Sequence, residues 1–173
     1  IIKIKKIKIE FYDTGRTLYD KVSEAAVELF KELLPIIEKK ELITYPQTEK
    51  GNYYSRKLPY DGIIDWEKEN LNIYNYIRAM NFPPFKPAKT YYQGKELYVW
   101  DSEIIENDNK KSKIVKDLKS GTIVDFSSEG FFVKTKNDKL LIKKINIDKQ
   151  NMSAIEFLSS YNIKIGDRLY SKK

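Results

Sequence analysis

Histidine and cysteine are both absent from the 173 residues. Without cysteine the chain forms no disulfide and no thiolate metal site. Without histidine it has no Ser-His-Asp triad, no imidazole metal ligand and no histidine general base. Glycine is scarce, with seven residues, and none of them falls into the spaced pattern of a phosphate-binding or dinucleotide-binding loop. No apolar run approaches the roughly 18 residues that a membrane-spanning helix needs, because lysines interrupt every apolar stretch. No association with a membrane is therefore expected. No secretory leader pattern is visible, which together with the missing cysteine fits a cytoplasmic protein. Arginine is limited to Arg16, Arg56, Arg78 and Arg168.

What is present suffices for a folded core. Hydrophobic residues make up 41% and aromatic residues 13%, enough for one or two domains at this length. The charged fraction of 33% is high but mixed in sign, which is not the signature of disorder. Lysine and arginine exceed the acids by 32 to 25, giving a net charge of +7. The lysines are spread along the whole chain rather than grouped, so they read as a solvated surface rather than a dedicated nucleic-acid face.

The chain opens on Ile1 rather than Met, and over residues 1–10 isoleucine alternates with lysine, with a slip at Lys5-Lys6. Period two with β-branched residues predicts a strand carrying a bulge, and its apolar face calls for a partner sheet. Asp13 or Thr14 can cap a helix whose apolar stripe runs from Leu18 to Ile37, predicting 16–34 with a looser turn to 39 around Pro35. Pro59-Tyr60-Asp61-Gly62 is a turn. A short helix over 71–80, capped by Asn70, stops at Phe82-Pro83-Pro84, and a hairpin turning at Gly94-Lys95 follows over 90–100. The polar stretch 106–119, with five lysines and no aromatic residue, reads as a linker. Short strands at 122–126, 131–135 and 140–147, a helix at 153–160 and a closing strand at 167–170 then suggest a small barrel.

Candidate chemistry is sparse. Asp61 and Asp65 stand four residues apart. They read as turn and capping residues, beside the alternative of a carboxylate pair for acid–base work or a cation. Arg78 lies on a helix of otherwise apolar and tyrosyl sides, so it needs a carboxylate or a ligand phosphate as partner. Asp61 or Asp65 would supply that partner internally. Tyrosines gather between Tyr53 and Tyr98 with Trp66 and Trp100. They read as packing residues, with base stacking as the alternative for any one of them.

Taken together, Arg56-Lys57-Leu58-Pro59, Asp61-Gly62 and Ile64-Asp65-Trp66, then Asn75 and Ile77-Arg78-Ala79, a proline-rich turn and a hairpin resemble the formyltransferases that use N10-formyltetrahydrofolate. These include methionyl-tRNA formyltransferases and sugar-nucleotide N-formyltransferases. Gly121-Thr122-Ile123, Val133-Lys134-Thr135 and Ile165-Gly166-Asp167-Arg168-Leu169 are similar to the family's carboxy-terminal barrel. The resemblance implies an α+β fold. Residues 1–105 would form the strand–helix and helix–hairpin end of the catalytic domain, 106–119 the linker, and 120–173 a small OB-like β-barrel.

The family's catalytic Asn-His-Asp set belongs to a Rossmann-like amino-terminal half. With no histidine here, no catalytic residue carries over. The chain is expected to be a carboxy-terminal portion, inactive alone, whose partner is that missing half. N10-formyltetrahydrofolate would be the cofactor of the full-length parent, with no cofactor and no metal expected for this portion. The resemblance gives Asp61, Gly62, Asp65, Trp66 and Asn75 as its structural motif and Tyr54, Arg56, Lys57, Tyr60 and Arg78 as substrate-binding residues. Arg78 or Lys57 would meet a pyrophosphate and a nearby tyrosine would stack on a base. The short barrel, with ten basic and six acidic residues over 120–173, favours an amino-sugar nucleotide as acceptor over initiator tRNA. Phe82-Pro83-Pro84-Phe85-Lys86-Pro87 departs from the family's Pro-x-Pro-Gly, and no substrate contact is carried over to that loop. A reading of another class is a non-catalytic binding module or homodimer that pairs through the edge of 1–10.

Overall fold

Thr14 holds an extended backbone, and its hydroxyl accepts from the N–H of Thr17 at 3.2 Å, while Thr17 Oγ1 accepts from Thr14 N–H at 2.9 Å. This reciprocal cap starts helix α1, Gly15–Glu38, which runs through Pro35 and ends a turn later at Lys39. Asp13 is buried beneath the cap, 2.7 Å from Lys21 Nζ, and accepts from the Glu10 N–H at 2.8 Å. The Lys21 bond, helped by that backbone N–H, holds its carboxyl down at about 2.

The computed structural model describes residues 1–48, 50–55, 57–105 and 117–171, and the chain divides into two units, Ile1–Lys57 and Leu58–Lys173. In the first unit the expected strand over 1–10 is absent from the described residues. A strand exists through its ladder, and alternation alone supplies no partner. Ile1 and Tyr45 exchange one pair of backbone bonds, at 2.7 and 2.8 Å, and Lys3 and Lys5 reach Glu32 and Glu28 on α1. Of the expected helix stripe, Ala25 alone is buried, and Val22, Ile36 and Ile37 are exposed.

The second unit holds helix α2, Asn70–Met80, strands β1, Ala88–Tyr92, β2, Lys95–Glu103, β3, Ile123–Ser127, β4, Gly130–Lys134, β5, Lys139–Ile147, and β6, Gln150–Ser153, then helix α3, Ala154–Ser160. All strand pairs are antiparallel, in the order β1-β2-β5-β4-β3, with β6 also on β5. The fold is thus a mixed one of helices on an open antiparallel sheet. Gln93 and Gly94, both at positive φ, turn the β1–β2 hairpin, one residue ahead of the expected turn. Asn70 is the first residue of α2 rather than its cap. Its N–H donates instead to Asn137 Oδ1, 67 residues away in the β4–β5 turn, at 2.9 Å. Ser153 caps α3 in a reciprocal pair with Glu156.

The stretch expected as a linker lies mostly at 106–116, outside the described residues. The segments on either side of it share one sheet, because β2 pairs with β5 from Leu97↔Ile147 to Glu103↔Leu141. One apolar core, including Ile64, Trp66, Ile77, Leu97, Phe131, Ile145 and Phe157, spans them.

The expected closing strand at 167–170 appears as isolated bridges. Tyr91 and Tyr170 exchange backbone bonds at 2.9 Å each. Leu169 N–H donates to Gly121 O at 2.8 Å and Ile123 N–H to Asp167 O at 2.7 Å. Tyr92 OH donates to Asp167 at 3.0 Å, and burial pushes this hydroxyl up to about 12. The segment thereby reaches both β1 and the start of β3, the two ends of the strand order. Among the described residues no helix is long and apolar enough to cross a membrane.

Two predictions follow from these contacts. A Cβ on Gly121, at φ +87°, would lie 2.3 Å from Leu169 O, whereas one on Gly94 meets nothing within 4 Å. Gly121→Ala should lower stability in urea by about 2–3 kcal/mol or more, against about 1 kcal/mol for Gly94→Ala, which carries backbone strain alone. Equal losses would show that the close approach at Gly121 is not rigid. For Asp13, the folded value of about 2 lies below the unfolded value of about 3.9. Its contribution is therefore present above pH ~4 and lost as the pH falls toward 2. Protection of the first-turn amides of α1, relative to their intrinsic exchange at each pH, should fall across that window, and Asp13→Asn should remove that fall.

Candidate functional site

The turn Pro59–Gly62 places three successive residues in the left-handed region, Tyr60 at φ 51°, Asp61 at 52° and Gly62 at 79°. Glycine adopts this region freely, whereas tyrosine and aspartate are strained there by about 1–2 kcal/mol each. The strain is held by local bonds. Asp61 N–H donates to Leu58 O at 3.2 Å, Ile63 N–H to Tyr60 O at 2.9 Å, and Tyr76 OH from α2 to Pro59 O at 2.8 Å. The Tyr60 and Tyr76 rings meet edge to face at 6.1 Å.

Beside the turn lies a cleft of about 340 Å³, with Tyr60, Asp65, Lys68, Asn72 and Tyr76 on its walls over Ile73. Asp65 Oδ1 accepts from Glu67 N–H at 3.1 Å, and its Oδ2 is 4.0 Å from Lys68 Nζ. Burial raises the Tyr76 hydroxyl above its ordinary value, with Tyr60 and Asp61 adding to the shift, so it stays a neutral donor at physiological pH. The cleft therefore offers one cation, one anion, an amide and two tyrosines. Such a set has the donors, acceptors and charges with which a polar ligand could be held. Among the described residues no group of three histidine, cysteine, aspartate or glutamate side chains could hold a metal ion.

Of the five residues expected to bind substrate, Tyr60 lines this cleft. Arg78 is half-buried on α2, with Nε 2.8 Å from Asn75 Oδ1 and the guanidinium 5.8 Å from the Tyr74 ring centre. Tyr54 and Lys57 are exposed in the unit Ile1–Lys57, where Lys57 N–H donates to Ser55 Oγ at 3.3 Å. Arg56 lies outside the described residues. Of the structural motif, Asp65 lines the cleft, Gly62 completes the turn, Asn75 orients Arg78, and Trp66 points into the core, donating from Nε1 to Thr90 Oγ1 at 2.9 Å. Lys68 and Asn72 were not anticipated. The Asn72–Tyr76 spacing of four on α2, which puts both on one helix face, is the signal that would have found Asn72.

Removing the Tyr76 hydroxyl separates the turn from α2. Tyr76→Phe should lower stability by about 0.5–1.5 kcal/mol. It should also raise amide exchange of Asp61 and Ile63, with exchange on β4 changing only by the global loss.

Comparison with known proteins adds the family. The profile of the formyl transferase C-terminal domain matches residues 58–162. Methionyl-tRNA formyltransferase of Halothermothrix orenii is 32% identical over 98% of this chain and 53% of that protein. The bifunctional polymyxin resistance protein ArnA of Wigglesworthia glossinidia brevipalpis is 33% identical over 73% of this chain and 18% of its own length. HypX from Aquifex aeolicus, solved in complex with tetrahydrofolic acid, superposes with a TM-score of 0.65 at 17% identity over 93% of this chain and 27% of that one, a likeness of fold. The chain spans about half the length of the methionyl-tRNA formyltransferases it matches. With the profile covering the turn, the cleft and nearly the whole sheet, the chain belongs to the formyl transferase C-terminal domain family.

Proposed function

We propose that this chain is the acceptor-side portion of a cytoplasmic enzyme that transfers a formyl group from N10-formyltetrahydrofolate to the primary amine of an amino-sugar nucleotide. The family membership over 58–162 carries this reading. The chain brings no imidazole, so the proton-handling set belongs to a Rossmann-like half that works with it. Exposed apolar residues on the unit Ile1–Lys57, Ile4, Ile9, Val22 and Phe30 among them, support such a neighbour. A cleft of about 340 Å³ is at the small end of ligand sites, too small for a folate together with an acceptor. No residue of this chain is therefore assigned to the cofactor. The cleft is assigned to the acceptor, with Tyr60 and Tyr76 against a ring and Lys68 and Asn72 toward its polar groups.

The sheet fits an OB-like barrel in this reading. The bridges of residues 166–170 to Tyr91 on one side and to Gly121 and Ile123 on the other support that closure.

A modest charge favours the smaller acceptor. Over 120–173 the ten basic residues face six acids, and several are engaged, Lys143 with Glu103 at 3.0 Å and Glu129 at 2.7 Å, Lys139 with Asp125 at 3.6 Å. A second reading, with methionyl-tRNA as acceptor, is favoured by relatives of that name, which align with nearly the whole chain.

Two measurements test the proposal. The purified chain should form no formylated product alone, and should support formyl transfer when mixed with the amino-terminal half of a relative; turnover by the chain alone would refute the assigned division of labour. A uridine-diphosphate amino sugar should bind with little dependence on salt. Binding of methionyl-tRNA that falls about 10³–10⁵-fold between 50 and 200 mM salt, with no binding of the sugar nucleotide, would replace the first acceptor by the second.

A further inference from the structure

A second concave surface is walled in part by the chain's proline-rich turn and shares no wall residue with the cleft. After α2 the backbone folds back, with Phe85 N–H donating to Phe82 O at 2.9 Å, and the two rings stack at 5.4 Å with an 8° tilt. Phe85 stays 63% exposed. It forms one wall of a groove of about 510 Å³, with Lys86, Tyr98, Trp100, Asn146 and Lys149 on the others.

The groove is electrostatically unbalanced. Its two carboxylates are answered within the protein. Glu96 is bonded to Lys89 at 3.0 Å and to Tyr98 OH at 2.6 Å. Asp148 is bonded to Lys95 at 2.7 Å and to Tyr161 OH at 2.8 Å. Lys86 donates to the Tyr98 hydroxyl at 3.2 Å and lies 5.4 Å from that ring, but among the described residues neither it nor Lys149 forms an ion pair. Lys149 stands exposed at the β5–β6 turn at φ +66°. Among the described residues a further donor is also unmet: the indole Nε1–H of Trp100 is buried with no hydrogen-bond acceptor. An unmet buried donor is uncommon, because it forfeits a hydrogen bond that water would have supplied.

We propose that this groove binds a nucleotide, the base stacking on Phe85 and the phosphate meeting Lys86 and Lys149. An exposed aromatic face with unpaired cations beside it matches the two parts of a nucleotide, a π-face and an anion. The volume suits one nucleotide unit. Asn146 on the groove wall supplies a polar contact for the base edge or sugar. This site does not depend on the formyl-transfer reading and stands apart from the acceptor cleft.

The chain's two tryptophans give the readout, Trp66 being sealed in the core and Trp100 a wall of the groove. Titration of the full chain with AMP should quench fluorescence to saturation, and calorimetry should give the same constant. Phe85→Ala should weaken binding about 5- to 150-fold. Lys149→Glu should weaken it several-fold, with an unchanged unfolding midpoint as the control for fold. Tyr60→Phe in the cleft should leave AMP binding unchanged. A short RNA ending in CCA serves as a second arm. Tighter binding of it than of AMP, with the same sensitivity to Phe85→Ala, assigns the site to a nucleic-acid end, and equal or weaker binding assigns it to free nucleotides. Three outcomes would overturn the proposal: no saturable binding of either probe, binding insensitive to both groove variants, or equal competition by inorganic phosphate. Loss of AMP binding in the cleft variant alone would place the nucleotide in the acceptor cleft, leaving the transfer reading intact.

Discussion

Thr90 carries the bond on which the larger unit depends. Its buried hydroxyl accepts from Trp66 Nε1 at 2.9 Å and donates to Tyr170 O at 2.9 Å. Tyr170 in turn exchanges backbone bonds with Tyr91. One side chain thus ties its own strand to two segments, 24 and 80 residues away in sequence. A buried hydroxyl is costly unless satisfied, and a satisfied network rigidifies and specifies the core around it. Neighbouring residues add to the same fastening. Glu67 accepts from Ser120 Oγ at 3.0 Å, Lys68 O from Lys136 N–H at 3.0 Å, and Asn70 pairs with Asn137. The segment from Trp66 to Asn70 is therefore a clamp between α2, β1 and the β4–β5 turn.

The clamp explains how the neighbouring turn holds its strain. Successive left-handed residues persist only where the surroundings over-determine them. At Pro59–Gly62 the downstream end is fixed by Ile64 N–H on Lys89 O at 2.8 Å, and the upstream end by Tyr76 on Pro59 O. The Tyr60 ring is held beside Tyr76 in consequence. A strained aromatic next to a cleft is a common arrangement for a binding wall, because the unbound geometry already matches the bound one and little ordering entropy is left to lose.

What the sequence made legible was local. The cap of α1, the α2 span, the hairpin to within one residue and the α3 span all follow from short-range pattern. Long-range bonds were not legible. Asn70 looks like a helix cap by type and position, yet it is the first helical residue: its Oδ1 accepts from Leu71 N–H at 2.8 Å, and its own N–H finds an acceptor on distant Asn137. Gln150–Ser153 has no apolar alternation to announce β6, which forms because the turn at Asp148 and Lys149 lays it on β5. Residues 1–10 show the converse, since strong alternation there produces no ladder among the described residues. For the site, residue type pointed to Tyr60 and Asp65, but membership of the cleft was decided by which face of α2 meets the turn.

The surplus of positive charge is the feature most open to misreading. A net +7 suggests a polyanion, yet many of the lysines are engaged inside the fold. Lys134 is buried in β4, donating to the Thr135 and Lys136 carbonyls, and desolvation lowers its pKa. Lys139 lies 4.1 Å over the Phe132 ring, and Lys143 bridges two glutamates, which hold its pKa above the ordinary value. A cation already paired or capping carbonyls has little to gain from a phosphate, since exchanging one partner for another nets only a small difference. The charge available to an anionic ligand is accordingly smaller and more local than the formal count. A single nucleotide needs only such a local charge, whereas a long phosphate backbone needs many released cations at once.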